Sequence, residues 1–127
     1  MKVMLIKADG SISMAKMFTI RQNEISLEDI RKMIPRGMDT IFLNKISKLA
    51  SIYIMFVERG AGDRPINRIA TSLVDESHRP VRGDVVITRT GHIGIGAKIF
   101  ALENPEIDTL LERVSKIYGT PVKVVAR

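Results

Sequence analysis

Apolar and polar positions alternate with period two over several short runs, which predicts strands. Lys2 to Ala8 is the first of them, and Asp9-Gly10-Ser11 follows as a turn signal. Met14 to Ile20 alternates as a second strand, so the chain is expected to open with a hairpin. Thr40 to Ile46 and Ile52 to Val57 read as a third and a fourth strand, with a polar excursion over Lys45 to Ser51. Gly83-Asp84 leads into a further strand. Along it Val85, Ile87 and Arg89 oppose Val86, Thr88 and Thr90, which predicts a central strand with apolar cover on both faces and Arg89 emerging toward solvent. Ala97 to Leu102 is another strand, and Pro121 to Ala126 an edge strand, where proline's missing donor does little harm.

The pattern shifts to helical spacing in three places. Ser26 stands before Leu27, Ile30, Met33 and Ile34, with Asp29 three residues on; Pro35 and Gly37 end this helix after about two turns. Asn67 caps a short helix over Arg68 to Leu73. Asn104-Pro105-Glu106 starts the third, where Ile107, Leu110, Leu111, Val114 and Ile117 form one buried stripe and Gly119 is the C-cap. The fold class expected is α+β. A mixed or largely antiparallel sheet of about five to seven strands is covered by two main helices and one short helical turn, in a single domain over 1–127.

Composition narrows this picture. Apolar residues make up 45% of the 127, enough for a core, and aromatics only 5%. Cysteine is absent, which excludes disulfides and thiolate metal sites and fits the cytoplasm. No apolar run reaches the ~20 residues of a membrane span, and no signal-peptide pattern opens the chain. The net charge of +6 permits a polyanionic partner and is also ordinary for a soluble domain.

Motifs for chemistry are sparse. Gly91 and Gly96 have phosphate-loop spacing, but Ala97 stands where that motif needs lysine, so a glycine-rich turn is expected. His78 and His92 lack a second ligand at metal spacing, and neither a metal nor a cofactor is expected. The basic residues say more. Across Tyr53 to Gly91 every one is arginine: Arg59, Arg64, Arg68, Arg79, Arg82 and Arg89. Arginine's planar fork suits phosphate and carboxylate. Asp63, Asp75, Glu76 and Asp84 are interleaved, and internal pairing is the competing reading. With Asn67 placed among them, Arg59, Arg64, Arg68, Arg79 and Arg82 form the candidate binding set, for a protein or nucleic-acid partner. Nucleic-acid binding would be weak and independent of sequence, because stacking aromatics are scarce.

Pro65-Ile66-Asn67-Arg68 and Gly83-Asp84-Val85-Val86, in that order after an opening strand KVMLIKA and before the helix from Asn104 to Ile117, resemble a small uncharacterised domain family. That family is carried largely by bacteriophages, plasmids and conjugative elements. The resemblance covers most of the chain, and the order of the motifs carries it. Lys45 to Ser51 and Asp75 to Arg82 are longer and more basic than the pattern. The resemblance implies a cytoplasmic accessory protein of a mobile element and supplies no catalytic residues. Two rival readings stand beside a binding module. One is a small enzyme with Asn67, Arg68, His78 and Asp84 in one cleft; the other is a structural homo-oligomer, which an exposed apolar patch would mark.

Overall fold

The computed structural model describes residues 1–47, 52–90 and 98–126. The glycine cluster from Gly91 to Gly96 with His92, and most of the Lys45–Ser51 excursion, lie outside the described residues. In chain order the elements are β1 (Lys2–Ile6), β2 (Ser11–Lys16), β3 (Glu24–Ile25), α1 (Leu27–Met33), β4 (Met38–Phe42) and β5 (Ile52–Glu58). Then come α2 (Arg68–Leu73), a 3-10 turn over Glu76–His78, β6 (Val85–Thr90), β7 (Ile99–Phe100), α3 (Asn104–Tyr118) and β8 (Lys123–Ala126). The fold is α+β, with one mixed sheet of eight described strands.

β6 is the strand on which the sheet is built. Val86 lies between Leu5 of β1 and Phe56 of β5, both antiparallel. Farther along, Arg89 and Thr90 lie between β5 and β7. β4 extends the sheet beyond β5, and β2 beyond β1. β8 pairs parallel with β2 and forms an outer edge. The alternation along β6 sorts its side chains as period two requires. Val85 and Ile87 enter a core with Ile69 and Leu73 of α2 and Ile107, Leu110 and Val114 of α3. Val86 enters a second core on the opposite face, with Ile30 of α1, Phe56 and Val3. The sheet is therefore covered on both faces.

Several expectations shift. The second strand is Ser11–Lys16 rather than 14–20, because Asp9 Oδ1 accepts from both Ser11 N and Ser11 Oγ and tightens the turn. Phe18 and Ile20, 90% and 63% exposed, fall outside the ladder. The third strand runs Met38–Phe42; Leu43 and Ile46 are buried from a turn closed by Ile46 N donating to Leu43 O. Its apolar pattern reflects burial without strand geometry. α3 is capped at Glu103, one residue before Asn104, and Glu106 Oε1 accepts from Glu103 N at 2.8 Å. Leu111 is half-buried at the margin of the stripe, whereas Leu110 is 1% exposed. Arg89 stays against the fold: its Nε lies 3.6 Å from Glu106 Oε1, and its guanidinium sits 5.3 Å from the Phe100 ring centre.

Candidate binding surface

The loop leading into α2 and the loop leading into β6 are zipped together. Gly83 N donates to Pro65 O at 2.9 Å, Asn67 N donates to Val81 O at 2.8 Å, and Ile66 bridges Arg82 between them. Gly83 takes φ +79, which glycine supplies without strain. Arg64 and Arg68 thus flank one side of a short ladder, and Arg79 and Arg82 belong to the other.

Asn67 has a different role from the arginines beside it. It is fully buried, and its side chain is spent inside the fold. Nδ2 donates to Ile6 O (3.0 Å) and Gly83 O (2.9 Å), while Oδ1 accepts from Ala70 N (3.0 Å) as the α2 cap. This residue joins the end of β1, the entry to β6 and the start of α2. It cannot present its amide to a partner, and its place in the binding set is corrected to a scaffold role.

The arginines are largely paired. Arg59 reaches Asp39 Oδ1 through Nε and Nη2, at 3.1 and 2.9 Å, and also Met38 O. This raises the already high pKa of Arg59 further. Arg64 Nη2 is 3.4 Å from Glu58 Oε1, and Arg64 Nε is buried without an acceptor. Arg79 pairs with Glu76 at 3.2 Å. Arg82 donates to Arg64 O at 3.1 Å, with no carboxylate at ion-pair distance among the described residues. Arg68 is exposed, and its side chain makes no hydrogen bond or ion pair among the described residues.

Two residues of this surface, Arg36 and Glu58, escaped the sequence reading, and so did the partner of Asp63. Arg36, in the turn after α1, binds Asp63 with both terminal nitrogens at 2.8 and 2.9 Å. That hydrogen-bonded pair holds the Asp63 carboxyl down at about 2 and raises the Arg36 guanidinium. Arg36 Nε also reaches Glu58 Oε1 at 3.0 Å. The Glu58 side chain, at the end of β5, is only 8% exposed. An acid closing an otherwise apolar strand was the available signal for Glu58; nothing local pairs Arg36 with Asp63, far along the chain.

Two pockets flank Glu58. One, of about 260 Å³, is lined by Ile41, Val57, His78, Pro80 and Arg82 among others. The second, of about 330 Å³, is lined by Met33, Ile34, Pro35, Arg64, Pro65 and Asp84 among others. His78 therefore lines the first pocket and Asp84 the second, while Asn67 lines neither. Neither of these two pockets brings together the four residues of the enzyme reading. Among the described residues no helix is long and apolar enough to cross a membrane. Comparison of the chain with family models, with curated proteins and with solved structures finds no match in any of the three.

Proposed function

We propose that this chain is a non-enzymatic binding module, a cytoplasmic accessory protein of a mobile genetic element, and that it engages a protein partner through the arginine-bearing loop end. The observation that supports it is the ladder of Pro65–Asn67 against Val81–Gly83, which gathers Arg64, Arg68, Arg79 and Arg82. Arg36, Arg59, Arg64 and Arg79 each have a carboxylate at hand. A phosphate backbone would have to compete with those carboxylates. A surface of fixed, alternating sign suits a partner with the complementary pattern, which is how charge gives protein interfaces their specificity.

The mobile-element setting rests on the ordered motifs of the sequence. It predicts replication, integration or conjugation genes beside the coding sequence. The binding reading is tested by affinity capture from the native host with the wild type and with R68E and R79E. A protein retained by the wild type and lost by both variants, at unchanged melting temperature, supports it. Recovery that is indifferent to both substitutions overturns it. Nucleic acid is the other outcome. Binding to duplex DNA would then weaken by about 0.9 log units per log unit of salt for each phosphate neutralised, and Arg68→Ala would lower that slope by about one.

A further inference from the structure

The first pocket beside Glu58 joins an apolar wall to a guanidinium with donors to spare. Ile41 of β4, Val57 of β5 and Val81 line it, and all three pack with the core that α2 and α3 cover. Pro80 extends the same wall. Arg82 supplies the charge. Its Nη1 donates to Arg64 O at 3.1 Å, and Arg64 N donates to Ala61 O at 2.9 Å. The guanidinium is thus held against the turn whose Ala61 and Gly62 also line the pocket. That bond uses only one donor of the fork. The Arg82 side chain makes no other hydrogen bond and no ion pair among the described residues. His78, also in the lining, is exposed, and its imidazole has no partner among the described residues. The acids nearby are committed elsewhere. Glu58 meets Arg36 at 3.0 Å and Arg64 at 3.4 Å, Asp63 takes Arg36 at 2.8 Å, and Glu76 takes Arg79 at 3.2 Å. Arg36 and Arg64 balance Glu58 and Asp63, and Arg79 balances Glu76, so the charge of Arg82 is left over. A free guanidinium fork beside an apolar wall suits a carboxylate on an aliphatic stem.

We propose that this pocket binds a short-chain carboxylate, with the carboxylate on the free donors of Arg82 beside His78 and the stem against Ile41, Val57 and Pro80. The volume of about 260 Å³ falls just below the ~300 Å³ at which drug-sized sites begin. That fits a chain of a few carbons, from a free organic acid or from the glutamate side chain of a peptide. The inference does not depend on the protein-partner reading, since Arg68 and Arg79 are outside the lining.

The test is an amide chemical-shift titration with butyrate and with Nα-acetyl-glutamate N-methylamide, using n-butylammonium and inorganic phosphate as controls. Saturable shifts with butyrate centred on Ala61, Gly62, Val81 and Arg82, in about the millimolar range expected of so small a ligand, support the site. Shifts with the glutamate derivative as well indicate that a peptide side chain is accepted; shifts with butyrate alone indicate a free acid. Arg82→Gln keeps a donor for Arg64 O while removing the charge, and butyrate binding should fall about tenfold, the loss of one charged hydrogen bond. If that variant melts lower than the wild type, His78→Ala at an exposed position takes its place, with a loss of about fivefold expected for one neutral hydrogen bond. Equal shifts with n-butylammonium, phosphate binding as tight as butyrate, no saturable shifts at all, or undiminished binding by the variant read would each overturn the proposal.

Discussion

Replacing Asn67 separates two jobs that one side chain performs. Its Oδ1 caps α2, and its Nδ2 serves two carbonyls, Ile6 O and Gly83 O, in a site of zero exposure. Asn67→Ala removes a cap worth about 1 kcal/mol and two amide hydrogen bonds worth about 1 kcal/mol each, so about 3 kcal/mol in all. Asn67→Asp is the sharper perturbation. Aspartate caps helices as well as asparagine does. It would, however, place a carboxylate oxygen about 3 Å from two carbonyl oxygens. The cost should reach about 5 kcal/mol, the scale of an uncompensated buried charge. It should shrink as pH falls, because a protonated carboxyl can donate to one of the two carbonyls. Urea denaturation reads both values by linear extrapolation, with an unchanged slope as the check that the same transition is compared. If Asn67→Asp at neutral pH is within about 1 kcal/mol of wild type, the amide does not join the two loops and the scaffold argument is wrong.

Leu110→Ala should cost about 2–5 kcal/mol through lost burial and a cavity, and Leu111→Ala distinctly less, since only Leu110 is fully buried; equal losses by denaturation would misplace the core. Amide exchange should be slowest at Val86 and Ile87, which lie between β1 and β5, and fast exchange there would demote β6 from the centre. Asp63 titrates at about 2, below its usual 3.8. Its folded pKa is depressed, so the stability it contributes is present above about 3.8 and lost as pH falls toward 2. Asp63→Asn should flatten the stability profile in that window, and an identical acid limb would refute the Arg36 pairing.

Much of the fold was legible because its signals are local. Asn67, Ser26 and Gly119 act as caps within a turn of where they stand in the chain. The alternation through Val85, Val86 and Ile87 assigned those residues to opposite cores, as observed. What failed to read depends on distance. β3 is two residues long and exists through Glu24 and Ile25 pairing with β7, far along the chain. Leu43 and Ile46 are buried from a turn, and period alone does not tell a buried turn from a strand. In the candidate surface, Arg59, Arg64 and Arg79 read as a cluster from spacing. Glu76, three residues before Arg79, was within reach of that reading; Asp39 and Glu58 as partners of Arg59 and Arg64, and the Arg36–Asp63 clamp, emerge only when β4 and β5 are paired and the turns beside them meet. A sequence counts charges, whereas pairing is decided by the fold.

The position of β6 also sets an order of events in time. β1 leaves the ribosome well before β6, and its inner edge stays open until Val85–Ile87 arrive. β5 waits for the same strand. Closing such long loops comes before the contacts that reward it, which slows folding relative to domains with local pairing. The hairpin of β1 and β2 therefore spends that interval with an unpaired edge, and its Lys2 and Lys7 are charges of the kind that discourage pairing with the wrong chain.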